Sequence, residues 1–175
     1  MMIIERGNTK VCFCQETLAV TVEKDQTRWE WADGFQPKLI CEEGSFSFLD
    51  AVTITHETYT MGVGIGIRSC FEGFEKDGVT YPYAFETLIW MEDTTEQVYF
   101  EWVPLKGEGL QVEKVLWPGQ MAFEEKKDSW YTLLTHQQGI LIPNDWEIPL
   151  SAIPFAGFFE TAGGYMPWFG QVKDR

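Results

Sequence analysis

The chain has 175 residues, of which 45% are hydrophobic and 23% charged, a balance that excludes a disordered polymer and suits one domain with its own core. Its net charge of −14 argues against nucleic acid and against an anionic membrane surface as partners, because like charges repel. Aromatic residues make up 15% of the chain, which favours strands and supplies flat apolar faces for ligands.

Short alternating segments bounded by Gly, Pro, Asn or Asp recur along the chain, whereas helical periodicity is almost absent, and this pattern predicts strands. In the first half the predicted strands lie in the segments 10–14, 18–23, 27–32, 45–60 and 63–74. Residues 33–45 carry a proline and an acidic pair and are predicted as a loop. Residues 75–83 are predicted as a turn-rich connection.

The glycines at 62, 64 and 66 are the nearest feature to a nucleotide-binding loop. A dinucleotide fingerprint needs a further glycine three positions after the second one, at the start of a helix. Position 67 is Ile, and the segment alternates like a strand. We therefore predict a strand face that is kept clear so that a bulky ring can lie across it.

In the second half the predicted strands lie in the segments 84–93, 97–105, 110–118, 131–134 and 139–143. The C-terminal part is predicted mostly as loop, with further candidate strands at 154–160 and 164–170 and one helical candidate within 120–128. About ten to twelve short strands with few or no helices predict an all-β fold. We expect a two-sheet antiparallel β-sandwich that forms a single domain over residues 1–175.

The cysteines at 12, 14, 41 and 70 have no spacing typical of a metal site. Cys12 and Cys14 are closer together than in a CxxC zinc knuckle, and no second pair follows them. We therefore predict no metal and no cofactor. The chain shows neither an apolar stretch of signal-peptide type at its start nor an apolar run of about 18 residues, so we expect a reduced, cytoplasmic protein.

Catalytic residues are not evident in the sequence. Neither His56 nor His136 is paired by sequence with a nucleophile, and both are interpreted as structural. Neighbouring acids on a strand or turn point apart, so the acidic pairs do not build the two facing carboxyl groups that glycoside hydrolysis needs. Asp145, beside Trp146 in a loop, is the better candidate for a ligand contact.

The segment GGYMPWFG, residues 163–170, holds aromatic rings between glycines and a proline. Tyr165 and Trp168 are thereby fixed at low entropic cost, which suits the apolar face of a sugar or a neighbouring domain.

Three segments of the last third resemble the N-terminal β-sandwich of large bacterial glycoside hydrolases of the α-glucosidase, α-galactosidase and endo-α-N-acetylgalactosaminidase-like group. They read VEKVLWPGQMAF, SWYTLLTHQQGILIPNDW and GGYMPWFGQ, with the matching steps at Val115–Pro118, Leu134–Pro143 and Met166–Gly170. In that group a galactose-mutarotase-like supersandwich precedes a (β/α)8 catalytic barrel. Thr135 departs from the pattern, which often has Pro there.

The resemblance implies a non-catalytic domain that supports a catalytic barrel in the same polypeptide and contributes to a carbohydrate site. It implies that Leu141 and Ile142 are core strand positions and that the loop after them reaches toward the mouth of the barrel. The predicted substrate-binding residues are Asn144, Asp145, Trp146, Tyr165 and Trp168.

Two alternatives stay open at this point. The chain length also suits a free-standing module that binds a carbohydrate or a small apolar ligand. A sugar epimerase resembling aldose mutarotase would need a histidine and a carboxylate as general acid and base, for which His56 or His136 is available.

Overall fold

The computed structural model of the chain describes residues 1–107, 110–119, 130–134, 140–143, 145 and 169–173. These residues form fourteen strands and one short 3-10 helix, which confirms the predicted all-β antiparallel sandwich. The chain divides into two compact units, Met1–Ala122 and Phe123–Arg175, and a single domain over residues 1–175 stays a prediction. The candidate strand at 154–160 and the helical candidate within 120–128 lie outside the described residues.

The first unit begins with a four-stranded antiparallel sheet in which each strand pairs with the next. The strands are β1 (Met2–Arg6), β2 (Thr9–Phe13), β3 (Val20–Lys24) and β4 (Thr27–Glu30). β2, β3 and β4 coincide with predicted strands. β1 has no counterpart among them, because Ile4 is its one buried residue and its alternation is therefore faint.

A second four-stranded antiparallel sheet is built from the longest strands. They are β7 (Ala51–Met61), β8 (Gly64–Lys76), β9 (Val79–Glu92) and β10 (Val98–Lys106), in the spatial order β10-β9-β8-β7. Alternate residues of β9, from Phe85 to Met91, are buried, as the period of two requires. The strands predicted at 63–74, 84–93 and 97–105 are thereby confirmed.

The prediction of a turn-rich connection at 75–83 is wrong for most of its length. β8 and β9 run through it, and only Asp77 and Gly78, both with positive φ, form the turn between them. Pro82, within β9, lies opposite the register shift between Glu72 and Phe74. An interior strand accepts proline at such an irregularity because no ladder hydrogen bond is lost there.

A third antiparallel sheet corrects the prediction of a loop at 33–45. Its strands are β5 (Lys38–Cys41), β6 (Gly44–Ser47) and β11 (Val112–Leu116), in the order β11-β5-β6. β5 buries only Leu39 and Cys41, an alternation too short to be seen in the sequence. β5 pairs with β6 on one side and with β11 on the other, where Lys114 lies opposite Ile40. A local sequence pattern cannot predict a pairing between segments so far apart in the chain.

A 3-10 helix, Phe48–Asp50, joins β6 to β7 and places Phe48 in the core. Ser47 caps it, because its hydroxyl accepts from the Leu49 amide at 3.2 Å while the Asp50 carboxylate accepts from the Ser47 amide at 2.8 Å. The Phe48 ring lies 5.2 Å from that of Phe71 and 4.6 Å from that of Phe85. These rings belong to one cluster of buried side chains to which all three sheets of the first unit contribute.

Polar contacts connect the β9–β10 turn to the first sheet. Arg6 and Asp93 form an ion pair at 2.8 Å. Glu96 accepts from the Thr9 hydroxyl at 2.9 Å and lies 3.3 Å from the Lys24 ammonium. The Thr9 hydrogen bond, with Lys24 adding to it, outweighs the effect of burial and lowers the pKa of the Glu96 carboxyl. The turn thus holds the two larger sheets of this unit together.

The second unit contains a three-stranded antiparallel sheet. Its strands are β12 (Trp130–Leu134), β13 (Ile140–Pro143) and β14 (Phe169–Lys173), with β12 in the centre. The strands predicted at 131–134 and 139–143 are confirmed, and β14 takes up the end of the candidate strand at 164–170.

Candidate functional site

The predicted sugar-binding residues follow or precede strands of the second unit. Asp145 is exposed in a turn directly after β13. Asn144, Trp146, Tyr165 and Trp168 lie outside the described residues. As a set, the predicted substrate-binding residues therefore stay a prediction.

The strand ends next to these residues lie at opposite ends of the sheet. Tyr131 pairs with Pro143 on one side and Val172 on the other, whereas Leu134 pairs with Ile140 and Phe169. β13 therefore ends at the Tyr131 end of β12, and β14 begins at the Leu134 end. The two strand ends are offset by about 10 Å along the sheet, at about 3.3 Å per residue.

Leu141 does not occupy the core position that the resemblance implies. It is 57% exposed, and Ile142 is half-buried. Leu141 shares its face of the sheet with Val172, which is also exposed, since both lie on the Tyr131 and Leu133 side of the pleat. Two apolar side chains, Leu141 and Val172, are thus exposed on the same face of this sheet.

The first of the three resembling segments has a structural role. The Trp117 ring meets the Trp31 ring edge-on at 5.4 Å and also lies 6.1 Å from Phe48. A side chain at Gly119 would meet the Trp31 ring at 2.1 Å, so only glycine allows this contact. The Trp-Pro-Gly step therefore closes the core of the first unit.

His56 makes the contacts expected of a structural histidine, the role predicted for it from the sequence. Its Nδ1 lies 2.8 Å from the hydroxyl of buried Ser69, and its ring packs edge-on against Phe13 at 5.2 Å. Burial lowers the pKa of His56, and a hydrogen bond to the main chain of Gln15 opposes this shift. The Phe13 contact joins the two larger sheets, whereas the Ser69 contact joins β7 to β8 within one sheet, and these packing roles leave the epimerase alternative without support at this residue. His136 lies outside the described residues.

The outer face of the β7–β10 sheet carries a row of aromatic residues that the sequence analysis did not single out as a site. Adjacent positions across the four strands are Tyr59, Gly66, Trp90 and Tyr99. A Cβ at Gly66 would lie 2.5 Å from the Tyr59 ring and 2.8 Å from the Trp90 Cβ. The predicted strand face kept clear for a ring is thereby confirmed. Its signal is the alternation of glycine with aliphatic residues.

The rings of this row differ in their surroundings. Burial, aided by the carboxylates of Glu101 and Glu86, raises the pKa of Tyr59 to about 12. Its hydroxyl is buried and has no hydrogen-bond partner among the described residues. Trp90 and Tyr99 stack at 4.3 Å with an interplanar angle of 14°, and Tyr99 remains 37% exposed.

An apolar groove of about 190 Å³ opens elsewhere in the first unit. It is lined by Val20, Val22, Trp29, Trp31, Val98 and Phe100. Such a lining lacks the convergent polar groups that orient sugar hydroxyls, so the groove is a poor carbohydrate site.

The described ranges contain no group of three or more His, Cys, Asp or Glu side chains placed to hold a metal ion. In the part of the chain that the structure covers, no helix combines the length and the apolarity needed to cross a membrane.

The sequence matches no protein-family model and no curated protein. Solved structures of the α-N-acetylgalactosaminidase NagBb from Bifidobacterium bifidum do match it. The complex with GalNAc has a TM-score of 0.84 and 43% identity, over 99% of this chain and 27% of that chain. The complex with Gal-NHAc-DNJ has a TM-score of 0.83 and 43% identity, over 99% and 28%. The ligand-free enzyme has a TM-score of 0.79 and 43% identity, over 99% and 27%. The chain is thus similar, over nearly all of its own length, to about a quarter of a glycoside hydrolase.

Proposed function

We propose that the chain is the N-terminal β-sandwich domain of a glycoside hydrolase that acts on α-linked N-acetylgalactosamine. The observation that carries this proposal is the 43% identity to NagBb across 99% of the chain, together with a TM-score of 0.84. The finer fold assignment, a galactose-mutarotase-like supersandwich, is part of the proposal. It draws support from the stacked antiparallel sheets and from the three resembling segments.

In this proposal the domain is non-catalytic and supports a (β/α)8 barrel in the same polypeptide, which carries the nucleophile and the acid/base. In this proposal the contacts of His56 with Ser69, Gln15 and the Phe13 ring are structural. The neighbouring acids Glu92 and Asp93 are directed apart, since Glu92 accepts from Thr94 while Asp93 pairs with Arg6.

The proposed contribution to the substrate site comes from Asn144, Asp145 and Trp146, with Tyr165 and Trp168. Exposure of Asp145 in a turn after β13 supports this role, because its carboxylate is open to a sugar hydroxyl. A domain that supplies only residues at the edge of the substrate site, here called the rim, contributes to substrate binding and not to bond cleavage.

The test compares residues 1–175 with the complete polypeptide that contains them. With p-nitrophenyl α-N-acetylgalactosaminide, we expect steady release of nitrophenol by the complete polypeptide and none by residues 1–175 alone. Hydrolysis by the short chain would contradict the non-catalytic role. A complete gene product that lacks a barrel-length segment would contradict the whole proposal.

The rim is tested by Asp145→Asn in the complete polypeptide. We expect KM to rise about three- to tenfold with kcat nearly unchanged, because a uniform binding contact is removed. Glu42→Gln, an exposed acid of the first unit, is the matched control and should leave both constants unchanged.

A further inference from the structure

We propose that the free edge of the β7–β10 sheet binds a neutral pyranose unit of a glycan on the ring of Tyr99, between Gln97 and Glu101. Tyr99 lies on β10, which is an edge strand of the sheet. The site is built entirely from described residues of the first unit, and the proposal does not depend on the proposed function.

The Tyr99 ring is held in place with one face open. Trp90 lies on the neighbouring strand and stacks on the ring at 4.3 Å, so the opposite face points away from the sheet. The Tyr99 hydroxyl donates to the side-chain oxygen of Gln97 at 2.7 Å. A ring fixed by two contacts loses little entropy when the C–H face of a pyranose stacks on it.

Polar groups flank this ring on the same face of β10. Because side chains alternate along a strand, Tyr99 and Glu101 project to one side of β10, and Gln97, the residue before the strand, reaches the same side through its hydrogen bond with the Tyr99 hydroxyl. One oxygen of Glu101 accepts from the Trp90 indole nitrogen at 2.8 Å, which orients both groups. The other Glu101 oxygen and the Gln97 amide nitrogen have no hydrogen-bond partner in the described part of the chain. They supply an acceptor and a donor for the hydroxyls around a stacked sugar.

Charge selects the kind of sugar. Among the described residues, Glu57, Glu86 and Glu101 lie on this outer face with two cations, Arg68, which is hydrogen-bonded to Glu57, and Lys106 at the far end of β10. A uronic or sialic acid would be repelled, whereas the hydroxyls of a neutral pyranose can donate to the Glu101 carboxylate and accept from the Gln97 amide. The open ring of Tyr99 is bordered by charged side chains and is far smaller than the apolar core of a protein interface.

The test titrates ¹⁵N-labelled residues 1–175 with the methyl glycosides of galactose, glucose and N-acetylgalactosamine, and with methyl galacturonide as the anionic probe. We expect at least one neutral glycoside to bind with a Kd in the millimolar range, with amide shifts centred on residues 97–101, and methyl galacturonide to bind about tenfold more weakly. Absence of saturable binding by all three neutral probes overturns the proposal. So does equal or tighter binding of the galacturonide, or a shift map centred elsewhere.

Variants locate the site. Tyr99→Ala should weaken binding at least about tenfold, whereas Tyr99→Phe, which keeps the ring, should stay within about threefold of the unsubstituted chain. Leu105→Ala removes another exposed apolar side chain of the same strand and should change nothing. If Tyr99→Ala does not fold, Gln97→Ala and Glu101→Gln replace it, each with an expected loss of about threefold or more. Unchanged affinity in the folded variants overturns the proposal.

A second copy of the chain is the competing occupant of this edge. A dimer in sedimentation velocity that is abolished by Tyr99→Ala would assign the surface to self-association and overturn the sugar site. The readout is binding by residues 1–175, whereas the proposed function is tested by hydrolysis in the complete polypeptide, so the two can fail separately.

Discussion

Gly66 lies beneath the ring of Tyr59 and beside the Cβ of Trp90, where even a methyl group has no room. Gly66→Ala should therefore lower the free energy of unfolding by about 1–3 kcal/mol, because the Tyr59 ring must move off the sheet. Gly62→Ala is the matched control, since no atom lies within 4 Å of a Cβ built there. Urea unfolding followed by tryptophan fluorescence measures both, and equal losses for the two variants would contradict the packing argument.

His56, a single residue, should make the free energy of unfolding depend on pH. Burial lowers the pKa of His56, so protonation is less favourable in the folded protein than in the unfolded chain, whose histidine has a pKa of 6.5. The unfolded state therefore binds more protons as the pH falls through 6.5, and the stability that neutral His56 contributes is complete above this pH and lost below it.

We expect the urea midpoint to fall between about pH 7 and about pH 5, and His56→Gln to flatten part of this fall because it removes the titrating ring. Unfolding curves across this range measure the difference between the two slopes. An identical slope in the variant would show that His56 does not titrate as inferred.

Among the elements, the β9–β10 turn connects two sheets through few contacts. Thr9 is 2% exposed and donates to Glu96, so Thr9→Val should destabilise the first unit by about 1 kcal/mol. Thr53→Val, at an exposed threonine of β7, is the control and should have almost no effect.

The effect of Thr9→Val on stability should also depend on pH in the acid range. Because the pKa of Glu96 is lowered in the folded state, its contribution is present above 4.5 and is lost as the pH falls through the folded-state pKa. The difference between Thr9→Val and the unsubstituted chain should therefore shrink in acid. Thermal unfolding at neutral pH and near pH 3 compares the two, and a difference that persists in acid would count against the Thr9–Glu96 bond.

Some strands of this fold can be predicted from the sequence and others cannot. β8 and β9 are long, and their alternation is strong enough to predict both strands. β5 has four residues and completes its pairing with β11, so its hydrogen-bond partners lie outside any local window. The edge site was missed for a related reason: Tyr99 and Trp90 meet only through the strand register. Asp145, Tyr165 and Trp168 were proposed from local patterns, an acid beside a tryptophan in a loop and rings held between glycines and a proline, and as a substrate-binding set they stay a prediction.

At the largest scale, the stability of the first unit depends on the core that its three sheets share. Phe48 is fully buried and packs against Phe71, Phe85 and Trp117. Phe48→Ala should cost about 3–5 kcal/mol, because the loss of buried contacts adds to the cavity left behind. Val52→Ala, at an exposed site four residues on, is the control. Calorimetry or urea unfolding measures both, and a loss below about 1 kcal/mol for Phe48→Ala would contradict its central place in the core.

The first unit contains strand pairs that are neighbours in the chain and one pair, β5 and β11, that is far apart in the chain, and the two kinds differ in the length of loop that must close. β7 to β10 form ladders between neighbours in the chain, so each pair closes over a short turn. The contact between residues 40 and 114 closes a loop that contains all of β7 to β10. The chain loses the entropy of closing this loop before the stabilising contacts between β5 and β11 form. We expect pulsed hydrogen exchange during refolding to protect β8 and β9 amides first and the amides of β11, whose partner in this sheet is the distant β5, last. During synthesis, the β11-β5-β6 sheet could be completed only after β11 has left the ribosome.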